Sequence, residues 1–183
     1  MDERTLRALE FDKVLQLLSA YCTCSLGREL ANRLRPISDL QLLSEWQQET
    51  TEAVNLLEIC GSVPLGGLHD IRSLLQRARA GGMLLPEQLQ QVADTLRAMR
   101  LLRDFLLKHE MQAMASFEEE QFSLLADRAQ GIGVFLELER QIERCIVPEG
   151  EVADAASPAL ARLRQQLRNR QARVRATLDS IVN

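Results

Sequence analysis

Apolar residues recur three and four positions apart along nearly the whole chain, interrupted by short Gly and Pro segments, which is the periodicity of amphipathic helices. Leu9, Val14, Leu17 and Leu18 predict a first helix reaching about Tyr21, and Leu26, Leu30 and Leu34 predict a second that Pro36 stops. A helical hairpin results. Ser38 and Gln41 stand in capping-box register and open a longer helix whose inward stripe is Leu43, Trp46, Thr50, Ala53 and Leu57. The linker CGSVPLGGLH, residues 60–69, concentrates glycines and a proline and reads as an ordered turn, after which Asp70 starts a helix ended by Gly81 and Gly82. Pro86 sits in the first turn of the second long helix, which carries Leu89, Val92, Leu96, Met99 and Leu102 and runs to about Ala115. Ser116 and Glu119 form another capping box before FSLLADRAQ, and beyond Gly131 and Gly133 the stripe continues through Phe135, Leu138, Ile142 and Cys145.

The segment IVPEGEV, residues 146–152, is the one place where β-branched residues flank a turn signal, and it is read as the site of a small hairpin. Ser157 as N-cap and Pro158 at the first helical position then open a final helix that runs to Asn183 with no stop signal. On a helical wheel Leu160, Leu163, Leu167, Val174, Leu178 and Ile181 fall within about 80°, a narrow seam of coiled-coil type that wants a partner helix. The fold class expected is all-α: a bundle of about seven or eight helices, two of them long. Residues 1–157 are read as the helical body, and 158–183 as the start of a lever-like helix cut from a longer polypeptide.

Composition supports this. Leu occurs 33 times and Ala 19 times against 16 Ile plus Val, so the apolar content lies in helix formers and a mainly β protein is excluded. No apolar run approaches the roughly 20 residues that cross a bilayer. The amino end, MDERTLRALEFDK, is too charged for a signal peptide, so the expected location is the cytoplasm, without membrane contact. Charge is distributed unevenly: residues 1–157 carry 16 Lys plus Arg and 25 Asp plus Glu, whereas 158–183 carry six Arg and one Asp. The basic charge is therefore concentrated on the last helix, where Arg164, Arg168 and Arg175 line one flank of the seam and Arg162, Arg170 and Arg173 the other. Such ridges can meet nucleic acid phosphates. Without interleaved aromatics for base stacking, a solvated face, or pairing with acids of a partner helix, outweighs that reading.

Candidate chemistry elsewhere does not hold up. GSVPLG has the glycine spacing of a phosphate loop but lacks the following Lys and Ser or Thr and a preceding strand. His69 and Asp70 are adjacent and do not aim at one point, leaving Asp70 as a helix cap and His69 solvated; His109, in KHE, reads as exposed. Glu118, Glu119 and Glu120 diverge by about 100° each on a helix and cannot converge on a metal. Cys22, Cys24, Cys60 and Cys145 lack zinc-ligand spacing, and Cys22 and Cys24, two positions apart on or beside a helix, are read as small half-buried hydrophobes that do not face each other. No catalytic, cofactor-binding or metal-binding residue is assigned in this chain.

Several ordered blocks match a known pattern: TLRALEFDKV at 5–14, SLGRELA at 25–31, LRP at 34–36, ETTEAV at 49–54, PLGGLHDIR at 64–72, LERQIERCI at 138–146 and GEVADAASPALARLR at 150–164. Through them the chain resembles the amino-terminal core and lever region of the bacterial MutS-family paralogues that lack a mismatch-recognition domain and end in a small Smr endonuclease domain. The resemblance implies long helices linking an ATPase to a clamp, within ATP-driven homodimers that engage branched or duplex DNA, restrain recombination and, in bacteria, split collided ribosomes. It implies ATP and Mg²⁺ for the longer protein, an ATPase and endonuclease, and none for this chain, which carries no phosphate loop, Walker acid or Smr motif. The leading expectation is a structural element coupling ATPase to clamp, partnered by the rest of its own polypeptide, with Leu160, Leu163, Leu167 and Val174 seating the arm. Beside it stand two alternatives, a nucleic-acid-binding module acting through the terminal arginines and a free-standing helical adaptor.

Overall fold

The computed structural model describes residues 3–116, 122–147 and 150–182, with side chains for 4–115, 122–147 and 150–179. Among the described residues the chain is all-α. The helices are α1 (Glu3–Ala8), α2 (Phe11–Ala20), α3 (Ser25–Arg33), α4 (Leu40–Cys60), α5 (Arg72–Arg79), α6 (Pro86–Ser116), α7 (Ser123–Gln130), α8 (Leu136–Cys145) and α9 (Pro158–Val182), with a 3-10 turn at Asp154–Ala156. The helix beyond those expected is α1. It is separated from α2 because Glu10 takes a left-handed conformation, φ 52°, which breaks the helical run. The turn over 146–152 is present as a single antiparallel bridge, Ile146 to Val152, and not as paired strands; residues 148 and 149 lie outside the described residues.

The 31-residue α6 is the spine, with α7 and α8 packed against it and α4 against α7. Two apolar clusters result. Leu74 of α5, Val92 and Ala93 of α6, Ile142 of α8 and Ile146 form one; Leu56 of α4, Ala113 of α6 and Phe122 form the other, with Cys60, Phe105, Leu106 and Leu125 against it. The linker read as an ordered turn lies across α6. The His69 N–H donates to the buried Thr95 hydroxyl at 3.1 Å, and Gly67 takes a φ of 83° that favours glycine, lying where a Cβ would meet Asp94 and Ala98 of α6 at ordinary van der Waals distance.

Four helices turn a different face inward from the one the apolar pattern predicts. On α2 the buried residue is Leu15, leaving Val14, Leu17 and Leu18 exposed, as is Leu9 ahead of it; in α3 Ala31 is buried, while Leu30 and Leu34 just past the helix end are exposed. On α4, Glu52 and Leu56 point inward, and Trp46, Thr50 and Leu57 are exposed. On α8, Glu139 and Ile142 are buried while Phe135 and Leu138 face out. The reason on α4 and α8 is the same: a carboxylate with fixed donors is buried where an apolar stripe was expected. Glu52, only 4% exposed, accepts the backbone N–H of Leu124 at 3.0 Å and of Leu125 at 3.1 Å, so it caps α7 from another helix. Glu110 of α6 adds the Phe122 N–H at 2.7 Å. Glu139 takes a two-pronged contact from Arg100, at 3.0 and 2.7 Å, with Arg97 beside it.

Two predicted caps also differ. Asp39, not Ser38, caps α4, its carboxylate accepting from Gln41 and Leu42 N–H at 3.0 and 3.1 Å. Ser116 ends α6 and does not open α7, and Glu119 lies outside the described residues. The folded chain exposes 13763 Å², whereas a compact protein of 20.7 kDa exposes about 8,900 Å². Much apolar helix surface is therefore unpartnered within this chain.

Candidate functional site

The structure concentrates the candidate residues on α9 and the segment that anchors it. Ser157 is extended ahead of Pro158, as the cap pattern predicts, and the Ala161 N–H donates to its carbonyl at 3.0 Å. Upstream, the Ala153 N–H donates to the Cys145 carbonyl at 2.8 Å, tying the entry of the arm to the end of α8. Arg164 then reaches back: one guanidinium nitrogen donates to the Val152 carbonyl and to the Asp154 carboxylate, both at 2.7 Å. Arg168 adds a longer contact to Asp154, 3.5 Å, and a hydrogen bond to Gln165 at 3.0 Å. The Arg164 hydrogen bond, with Arg168 nearby, holds the Asp154 carboxyl below the usual carboxylate range.

These contacts divide the predicted residues. Leu160 is half-buried at the root. Leu163, Leu167, Val174 and Leu178 are 56–59% exposed, so their seam faces away from this chain's own body. The side chain of Ile181 lies outside the described residues. Of the six arginines, Arg164 and Arg168 are engaged at the root, whereas Arg162, Arg170 and Arg173 are exposed and form no ion pair among the described residues; Arg175 is also exposed. The periodicity of the sequence does not mark Asp154. The available signal was that it is the one acid between residues 152 and 178.

An apolar cleft of about 650 Å³ opens between α4, α6, α7 and the linker, walled by Ala53, Leu57, Leu65, Leu102, Leu106 and Leu125, with Thr23 and Cys24 at its rim. His109 is not exposed as expected. Its ring is half-buried, 4.5 Å from that of Phe105, with Nε2 3.5 Å from the Cys60 sulfur. His69 is solvated, and Asp70 accepts from the Arg72 N–H at 3.2 Å and from its guanidinium at 2.8 and 2.6 Å. That guanidinium also meets Glu29 at 2.5 Å, joining α3 to α5. The Arg72 side-chain hydrogen bond, chief among the causes, lowers Asp70 to about 2 and also lowers Glu29. Cys22 and Cys24 lie on the turn between α2 and α3, not on one helix, and their sulfurs flank Gly27. Among the described residues no three His, Cys, Asp or Glu converge as a metal site, and no helix is long and apolar enough to cross a membrane; Glu118, Glu119 and Glu120 lie outside them.

No protein-family model matches the chain. Curated relatives do, over its full length. It is 44% identical over 183 residues to Endonuclease MutS2 of Geobacillus sp. (strain WCH70), 42% identical over 182 residues to that of Symbiobacterium thermophilum, and 37% identical over 182 residues to that of Alkaliphilus oremlandii. All of this chain is covered in each case, but only 22% of each relative. The chain spans about a fifth of the length of the curated relatives it matches, and it is homologous to a segment of MutS2 endonucleases.

Proposed function

We propose that this chain is the mechanical part of a MutS2-like, ATP-driven protein that processes nucleic acid: a packed helical body holding a stiff arm. The observation that carries this reading is the root of α9, where Arg164 is stitched to Val152 and Asp154 while the helix beyond it stands clear of the body. A helix of 25 residues is about 37 Å long. Clamped at one end, it converts a small rotation of the body into a larger displacement at its tip. Close-packed interiors transmit strain, and coupling requires two discrete settings of the arm that ATP and substrate bias differently. The exposed seam of Leu163, Leu167, Val174 and Leu178 then seats the arm on another helix of the longer polypeptide.

Reactions belong, on this reading, to other regions of such a protein. ATP and Mg²⁺, homodimers, branched DNA, cleavage, restraint of recombination and the splitting of collided ribosomes come to it through the resemblance. The test is a chimaera in which this chain replaces the matched fifth of the Geobacillus relative. With Asp154→Ala, ATP hydrolysis without nucleic acid is expected to persist while its response to DNA falls several-fold. An undiminished response would overturn the proposal. A second reading, direct contact with phosphates, is favoured by the exposure of Arg162, Arg170 and Arg173.

A further inference from the structure

We propose that Cys22 and Cys24, on the turn between α2 and α3, form a two-thiolate site for a soft monovalent cation of the Cu(I) class. Both cysteines are half-buried, the Cys22 thiol donating to the Leu18 carbonyl at 3.7 Å, and both sulfurs lie close to Gly27: a Cβ built there would be 3.7 Å from the Cys22 sulfur and 3.6 Å from the Cys24 sulfur. The two sulfurs are thus no more than 7.3 Å apart. With metal–sulfur bonds of about 2.3 Å, a linear bridge spans about 4.6 Å, a separation that a rotamer change at one cysteine brings within reach.

The ligand number selects the ion. Zinc in a structural site takes four protein ligands, and no third His, Cys, Asp or Glu joins these two among the described residues. Paired thiolates without oxygen or imidazole donors suit a soft cation that accepts two ligands. Electrostatics favour the product. Binding replaces two S–H bonds by two metal–sulfur bonds, releases two protons to solvent and transfers no electron, so the bound unit carries one net negative charge. That charge sits at the positive end of the nine-residue α3, where the Gly27 N–H already donates to the Cys24 sulfur at 3.4 Å. The Arg28 guanidinium is anchored beside it, donating to the Cys24 carbonyl at 3.4 Å.

Cys24 caps α3 through this Gly27 contact, but a thiol is a poor choice for that position. The N-cap position prefers Ser, Thr, Asp or Asn, and sulfur is a weak acceptor. Cys24 also lies at the rim of the apolar cleft, which gives the site an open approach.

The test is an anaerobic titration of the reduced 183-residue chain with Cu(I) held by excess bicinchoninate, whose colour reports the metal it keeps. One equivalent per chain is expected to leave the chelator. Uptake should fall at least tenfold in Cys22→Ser and in Cys24→Ser, and persist in the Cys60→Ser, Cys145→Ser double variant. Serine is the better cap, so circular dichroism should find Cys24→Ser folded. No uptake by the parent chain, or full uptake by the Cys22→Ser, Cys24→Ser double variant, would overturn the site.

Discussion

Replacing Glu52 by Ala removes the acceptor for the first turn of α7. Its carboxylate takes the Leu124 and Leu125 N–H groups at 3.0 and 3.1 Å, and the side-chain amide of Gln48 at 3.4 Å. Hydrogen bonds to a charged acceptor contribute about 1.5–3 kcal/mol each and a lost cap costs about 1–2 kcal/mol. These contributions overlap, and water entering the vacated space recovers part of the loss, so the expected cost is about 3 kcal/mol. Glu52→Gln keeps the volume and one acceptor oxygen and should cost about 1 kcal/mol. Urea denaturation should report both as lower midpoints at unchanged slope. For a chain of this size, 3 kcal/mol corresponds to a fall in Tm of about 6–12 °C. Amides at the start of α7 should lose hydrogen-exchange protection before those of α6. If Glu52→Ala lies within about 0.5 kcal/mol of the parent, the reasoning that a remote carboxylate sets the face of α4 is refuted.

Three further outcomes are expected. Arg100→Ala leaves the buried Glu139 carboxylate with only the weaker Arg97 contact and should cost about 3 kcal/mol by urea denaturation, a loss that Arg100→Lys only partly restores. Asp70, Glu29, Glu139 and Asp154 all have pKa values below their ordinary ones when folded, so the unfolded chain binds more protons and stability falls on acidification. For Asp70 the loss runs from the ordinary value of 3.8 down to about 2, and Asp70→Asn should flatten the stability–pH curve in that window. If Arg162, Arg170 and Arg173 each neutralise one phosphate, replacing all three by Ala should flatten the log–log salt dependence of duplex binding by about 2.7, and no duplex binding at low salt would exclude this contact.

The elements that were legible in the sequence are those with local causes. Pro86 and the stripe from Leu89 to Leu102 define α6 because a proline at the first position and three-four spacing act within the helix itself. Ser157 and Pro158 mark the start of α9 for the same reason. The rotations of α4 and α8 were hidden because Glu52 is buried by amides some 72 positions away in the chain, and Glu139 by an arginine 39 positions away. Apolar spacing alone assigns such carboxylates to solvent. At the candidate site, the arginines and the seam were visible as a pattern on one helix. That Arg164 is spent on the root required the return of the chain at Val152 and Asp154, which periodicity does not encode.

On the proposed function the arm is fixed to its body. Pulsed electron-electron resonance between spin labels at exposed positions Asp104 on α6 and Gln171 on α9, in a background with the native cysteines replaced by serine, measures this directly. A single narrow distance distribution is predicted for the parent chain, broadening markedly in Asp154→Ala. A broad distribution in the parent, or one indistinguishable from that of the variant, would contradict a rigid root.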